Sequence, residues 1–411
     1  MQRSGGARQH ALMMGSPAGE VRTPTGRAVR GDRVLPAWAS AGTRLRRALL
    51  LSVTALVGLP AVSAHAADWI PEEGFGTVAA TPRSFLAEGI VAGDGTALTV
   101  AANRDTDELV VTRRTPGGPA RSTSIPSIED WDLAASAAGT VAVLVTTASG
   151  SGYERRVWSW RPGDETATRT APWTLPTYRP GVLALFDEQR VGVVEGTSFA
   201  RADETRQLVG ELGGALTSES LKLADGQGLM RAFSLETATR AGRSPVVFVG
   251  TSDGRLLLSR AAGGAFAPAS LLETYATPGA DGPTDVNTLR PSMAADGSLT
   301  VAFETEASAQ PAGAGTQRTS FSAIRGARVS AAGKLADDRV FTSVTSVTPH
   351  GFASQDFDKL AGNATGPSGS QTVAWNATRL SRTSDSRTRV LAARRAAGVA
   401  EPTAAQQLGR E

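Results

Sequence analysis

The chain has 411 residues, a formal net charge of +3, 45 glycines, 22 prolines, three histidines and no cysteine. Without cysteine there is no disulfide framework, thiolate nucleophile, iron–sulfur cluster or Cys-type zinc site. The charge is uneven: residues 1–66 carry nine Arg against Glu20 and Asp32, and the rest of the chain is net acidic, so no nucleic-acid partner is expected.

In chain order, residues 1–43 are Arg/Gly-rich without apolar periodicity. They are expected to be a disordered leader or an over-long gene start. Residues 44–66 have the three-part grammar of a secretory signal: a basic start at Arg44, Arg46 and Arg47, an apolar run Ala48–Leu59, and a small-residue cleavage site at Ala64 and Ala66. Arg46-Arg47-Ala48-Leu49-Leu50 is also similar to a twin-arginine signal, with Leu45 where Ser or Thr is usual. Both export routes stay open. No later apolar segment is long enough to span a bilayer. The expectation is a secreted, extracellular protein, monomeric and not inserted in the membrane once the signal is removed. Thirty-nine Arg against three Lys suggests GC-rich bacterial coding.

Residues 67–400 are read as one repeat domain and 401–411 as a disordered tail. Short apolar runs of period two, Ala97–Ala101, Val141–Val145, Val246–Val249 and Leu299–Phe303, predict strands bounded by turn residues. Asp94-Gly95, Asp225-Gly226, Asp253-Gly254 and Asp296-Gly297 predict tight turns, because glycine supplies the positive φ they need. Anchors at Asp94, Gly139 and Glu188 are 45 and 49 residues apart, and Asp253 to Asp296 is 43. These gaps suit a four-stranded propeller blade of about 40–50 residues, although the step from Glu188 to Asp253 is 65. The expected fold is therefore all-β: a β-propeller of about six (six or seven) four-stranded blades, with packed β-sandwiches as the runner-up. Thr305–Thr319 and Thr345–Ser368 read as insertions, and Ser198–Leu212 and Ser354–Lys359 as the best helical candidates. Thr77–Leu86 is expected to complete the last blade and cover its edge.

The pattern P-x-x-A-x-D-G-x-x-x-V-A-F at Pro291–Phe303, with R-x-x-G-G-x-F at Arg260–Phe266, resembles the propeller repeats of secreted bacterial proteins loosely grouped with sialidase-like propellers. That resemblance implies a propeller. A sialidase would also need three convergent arginines, a Tyr–Glu pair and an acid Asp. The Asp box S-x-D-x-G-x-x-W is not matched, since Thr251-Ser252-Asp253-Gly254 has another spacing and no Trp follows. No catalytic residue is carried over.

Little imidazole chemistry remains, because of His10, His65 and His350 only the last follows the predicted cleavage site. It sits in a turn-like loop without a nucleophile elbow. Carboxylates are the remaining catalytic candidates, and Glu304/Glu306 reads as a strand running out into solvent. Asp281, Asp285 and Asn287 place oxygens at i, i+4 and i+6. They suit calcium without matching the EF-hand order, so no cofactor is assigned. Aromatic platforms for sugar rings are sought at Trp131, Trp173 and Tyr178, whereas Trp158 and Trp160 read as packing between blades. Asn363-Ala-Thr and Asn376-Ala-Thr match the glycosylation sequon.

The functional expectation is a non-enzymatic exported propeller that binds a glycan, a cell-wall polymer or a protein through loops on one face. Its binding candidates are Trp131, Trp173, Tyr178, Asp281 and Asp285. One alternative is a carboxylate-based glycoside hydrolase or lyase, with two acids from different blades meeting at the mouth of the ring. The other is a structural cell-surface protein with a large exposed apolar patch.

Overall fold

The computed structural model describes residues 85–408 apart from 104–105, 198–203, 241, 311–317, 349–355, 367–368, 381–385 and 400. The leader, the signal with Ala64 and Ala66, and His350 lie outside the described residues. Every named element is a β-strand, and each strand pairs antiparallel within its own sheet. Blade 1 holds β1 (Phe85–Val91), β2 (Ala97–Asn103), β3 (Glu108–Arg114) and β4 (Ala120–Pro126). Blade 2 holds β5 (Ile128–Ala135), β6 (Val141–Ser149) and β7 (Gly152–Trp160), with two short strands, β8 (Thr168–Arg169) and β9 (Trp173–Leu175), both on β7. Blade 3 is β10 (Gly181–Leu185), β11 (Arg190–Glu195), β12 (Arg206–Glu211) and β13 (Leu216–Ser220). Blade 4 is β14 (Ala232–Ala238), β15 (Val246–Thr251), β16 (Arg255–Ala262), β17 (Ala265–Phe266) and β18 (Ser270–Thr274). Blade 5 has the longest strands: β19 (Asp285–Met293), β20 (Leu299–Ala309), β21 (Arg318–Val329) and β22 (Leu335–Thr348). Blade 6 is β23 (Asp356–Thr365), β24 (Gln371–Leu380), β25 (Ser386–Arg395) and β26 (Gln406–Gln407).

The first strands touch in succession, β1 against β5, then β10, β14, β19 and β23. Blades packed side by side in chain order through their inner strands make this a six-bladed β-propeller. The packing explains why β6 reads as an unbroken apolar run. Val141, Val143 and Val145 enter the core shared with blade 1, while Ala142 and Leu144 enter the core shared with blade 3. In β15 the same alternation sends Val246 and Phe248 one way and Val247 and Val249 the other. The sheets of blades 2 and 4 are thus apolar on both faces, whereas a sandwich sheet buries one.

Two glycines mark how closely neighbouring blades approach. A Cβ on Gly196 would lie 2.3 Å from the Ala232 carbonyl oxygen, and one on Gly250 would lie 2.3 Å from the Val286 carbonyl oxygen. In both cases the second strand of a blade presses on the first strand of the next, and the obstacle is backbone. Gly250→Ala is therefore expected to cost about 1–3 kcal/mol by overpacking. Urea unfolding checks this, and an unchanged midpoint would show that the blades can separate freely.

Several expectations are corrected. The 65-residue step arises because Asp253-Gly254 joins β15 to β16, whereas Asp94-Gly95 and Asp296-Gly297 join first to second strands. The matching turn of blade 4 carries Gly242, at φ 74°. Both helical candidates contain strand: Arg206–Glu211 is β12 and Asp356 opens β23. Of the supposed insertions, Thr305–Ala309 extends β20, and Thr345–Ser368 contains the end of β22 and all of β23. The tail is not wholly disordered, since Gln406 and Gln407 pair with Ala392 and Leu391. Blade 6 is finished by this tail. Phe85 and Leu86 pair with Asn103 and Ala102 of their own blade, and residues 77–84 lie outside the described set.

Candidate functional site

The chain enters each blade through its first strand, and at the same end the second strand turns into the third. Blade 2 shows what this end builds. Ser127, at φ 58°, links β4 to β5; the Ile128 amide donates to the Asp107 carbonyl at 3.0 Å, and the Ala148 amide to the Ser127 carbonyl at 3.2 Å. A non-glycine residue held in the left-handed region costs energy that local contacts must offset. The strained link and the β6–β7 hairpin border a cleft of about 340 Å³ between blades 1 and 2. Pro126 and Ser127 line one side, with Thr147, Ser149, Glu154, Arg156 and Trp158 among the residues opposite.

The cleft chemistry follows from strand alternation. Glu154, Arg156 and Trp158 fall at every second residue of β7 and so share one face. Arg156 Nε donates to Glu154 Oε1 at 2.9 Å, with side-chain exposures of 37% and 30%. A pair this exposed contributes little to stability. Both groups keep lone pairs or N–H donors that can exchange water for ligand hydroxyls. Trp158 is 9% exposed, and the Arg169 guanidinium lies over its ring, 3.7 Å from the centroid. A carboxylate, a guanidinium, hydroxyls and an indole are suited to recognising a polyhydroxylated ligand. The set holds no activated nucleophile.

The opposite face of β7 is structural. Arg155 and Glu195 are fully buried between blades 2 and 3. Arg155 donates from Nη1 to Glu195 Oε1 at 3.0 Å, from Nε to Thr146 Oγ1 at 2.8 Å, and from Nη2 to the Arg179 carbonyl. Glu195 also accepts from Arg206 Nε at 2.5 Å and from Trp173 Nε1 at 2.8 Å. Burial alone would raise its pKa, but Arg155, Arg206 and Trp173 hold it below the usual value.

The expected site residues do not converge. Trp131 is core, 3% exposed, donating from Nε1 to Glu88 Oε2 at 3.1 Å across blades 1 and 2. Trp173 is half-buried on Glu195. Tyr178 is half-buried, donating to Asp130 Oδ2 at 2.8 Å and meeting Tyr153 edge-on at 5.8 Å. Asp281 and Asp285 belong to blade 5, where Asp281 accepts the Gln310 amide at 2.5 Å and Asp285 opens β19 opposite Glu306. Partial burial and the Glu306 charge push the Asp285 carboxyl up to about 6. Glu304 does not run out into solvent. It is 1% exposed and accepts from the Leu360 amide at 2.6 Å, Thr288 Oγ1 at 2.9 Å and Lys359 Nζ at 3.3 Å. Lys359 also donates to Glu306.

Among the described residues no group of three or more His, Cys, Asp or Glu could hold a metal ion, and no helix is long and apolar enough to cross a membrane. Both sequons lie within strands, with the Asn363 amide donating to Thr300 Oγ1 at 3.0 Å. Trp158, 9% exposed, and Trp160 pack in the core between blades 1 and 2, as the sequence implies. Glu154 and Arg156 were not among the expected site residues. The available signal was the i, i+2, i+4 spacing of Glu154, Arg156 and Trp158, which a strand places on one face.

No family model and no curated protein matches the chain. Among solved structures it is similar to a fungal lectin of Aleuria aurantia, described as a six-bladed β-propeller with a fucose recognition mode. The identity is 12% over 65% of this chain and 80% of that one, with a TM-score of 0.38. It is also similar to the polysaccharide lyase Uly1, at 9% identity over 64% and 70% of the two chains and a TM-score of 0.42. A PL25 ulvan lyase aligns at 8% identity over 65% and 68%, with a TM-score of 0.40.

Proposed function

We propose that this protein is an exported, non-enzymatic propeller that binds a glycan in the cleft between blades 1 and 2. The observation that carries the reading is Glu154, Arg156 and Trp158 on one face of β7, opening into a cleft of about 340 Å³. That volume suits one small ligand or a short segment of a polymer. The ion pair accounts for specificity toward hydroxyls.

The test is binding of the purified protein to a panel of neutral and acidic oligosaccharides and cell-wall fragments. Arg156→Ala is expected to weaken the best ligand about 10- to 100-fold, as loss of hydrogen bonds to a charged group implies. Its exposure makes folding insensitive to the change. Absence of any glycan ligand, or equal binding by Arg156→Ala, would refute the reading and turn attention to a protein partner.

A second reading rests on Asp285 and Glu306. A carboxyl held protonated to about pH 6 beside an ionised one is an acid/base arrangement. These acids come from adjacent strands of one blade, however, and Lys359 pairs with Glu306. Binding without turnover across the panel separates the two readings. Among the described residues, the exposed large apolar side chains Val91, Leu271, Val340, Val347 and Val399 are spread over blades 1, 4 and 5 and the β25–β26 connection of blade 6, which gives a surface-assembly role little support.

A further inference from the structure

At the opposite end of the propeller, where β24 begins and β25 ends, blades 5 and 6 enclose an excess of positive charge. Arg395 closes β25 with its side chain fully buried. Its Nη2 donates to Gln371 Oε1 at 3.0 Å and lies 3.0 Å from Asp337 Oδ1. Its Nε and Nη1 meet no acceptor among the described residues.

A second arginine approaches the same carboxylate, and the charge of a third bears on Arg395. Arg328 of β21 brings Nη1 to 3.7 Å from Asp337 Oδ2 and donates from Nη2 to the carbonyls of Arg395 and Ala396. Arg339 of β22 donates from Nη1 to the Asp338 carbonyl at 2.8 Å, while its Nε has no hydrogen-bond partner among the described residues. The nearby acids do not balance the three. Asp338 is engaged by Arg325, at 3.0 and 3.1 Å, and Glu401 stands 3.9 Å from Arg339 with its side chain 82% exposed. A guanidinium cannot shed its proton, so it must be matched by an anion or by acceptors. Burial, together with the charges of Arg328 and Arg339, lowers the pKa of Arg395 despite Asp337. The cluster runs from the 42% exposed Arg339 side chain to the fully buried Arg395 side chain.

We infer that this wedge binds a small oxyanion of the sulfate or phosphate class, accepting from Nε and Nη1 of Arg395 and from Nε of Arg339. The same chemistry is carried by sulfate esters on polymers. The buried position of Arg395 favours the free ion.

Thermal unfolding at constant ionic strength tests this, with millimolar sodium sulfate or sodium phosphate replacing sodium chloride. The expected result is a saturable rise in Tm of several degrees with either oxyanion, as binding to the folded state alone requires. Sulfate also stabilises proteins non-specifically, without saturating at these concentrations. Arg339→Gln removes an exposed group and leaves the fold intact, and it is expected to weaken the apparent affinity about tenfold. Arg328→Gln serves as a second variant with the same expected direction. No rise beyond chloride, or equal saturable responses in the protein and both variants, would overturn the inference. A response to a sulfated oligosaccharide but not to free sulfate would overturn the free-ion assignment.

Discussion

Arg155→Leu is expected to destabilise the protein by about 3–5 kcal/mol, because it leaves the buried Glu195 carboxylate without its main counter-charge. Arg206 and Trp173 remain as partners, which places the effect toward the lower end of that range. The same substitution abandons Thr146 Oγ1 and the Arg179 carbonyl, so the junction of blades 2 and 3 loosens as a unit. Urea unfolding measures the cost, and a change below about 1 kcal/mol would show that the buried pair is dispensable. The pH dependence has a definite sign. A carboxylate whose folded pKa is depressed stabilises the fold above its ordinary value of 4.5 and loses that contribution as pH falls through the folded value. Wild-type stability should therefore drop on acidification below about pH 4.5, and Glu195→Gln should flatten that part of the curve. An unchanged acid limb in Glu195→Gln would assign the acid sensitivity to other groups.

The second large effect is expected at Trp375, the largest fully buried side chain. It fills the core between blades 5 and 6 with Ile324, Leu360 and Val373. Trp375→Ala should cost about 3–5 kcal/mol through lost burial and the cavity left behind. The outer strand of blade 6 is only the two-residue β26, so its sheet has the shortest edge strand of the blades closed by a single fourth strand. Hydrogen exchange should show amides of β23–β25 losing protection before those of blades 2–4. Trp375→Phe gives an internal contrast, because the indole Nε1 has no acceptor among the described residues. Removing that unsatisfied donor offsets part of the lost volume, so phenylalanine should cost less than half as much as alanine. Equal costs for the two substitutions would mean that the N–H is satisfied in solution.

Much of the architecture was legible locally. The runs Val141–Val145 and Val246–Val249 announce strands, and the turn glycines at 95 and 297 announce hairpins, because alternation and positive φ depend on adjacent residues alone. The count of about six blades followed from their recurrence. Assigning each hairpin to its place in a blade was not possible in this way. Asp253-Gly254 looks like Asp296-Gly297 in sequence and differs only in which strands it joins.

Determined by the sequence itself, then, were the all-β class, the repeat and the exclusion of thiol chemistry, since composition and short-range periodicity state them directly. Only the tertiary structure decided which side chains meet. Glu195 faces Arg155 across 40 positions, Glu304 meets the amide of Leu360 across 56, and Arg395 finds Asp337 in another blade. It also decided that Trp131 is core while Glu154 and Arg156 line a cleft. These outcomes depend on how far each blade rotates against the next and on where glycines such as Gly196 and Gly250 let two backbones close. That geometry arises from many weak contacts between blades, and no single stretch of chain encodes it.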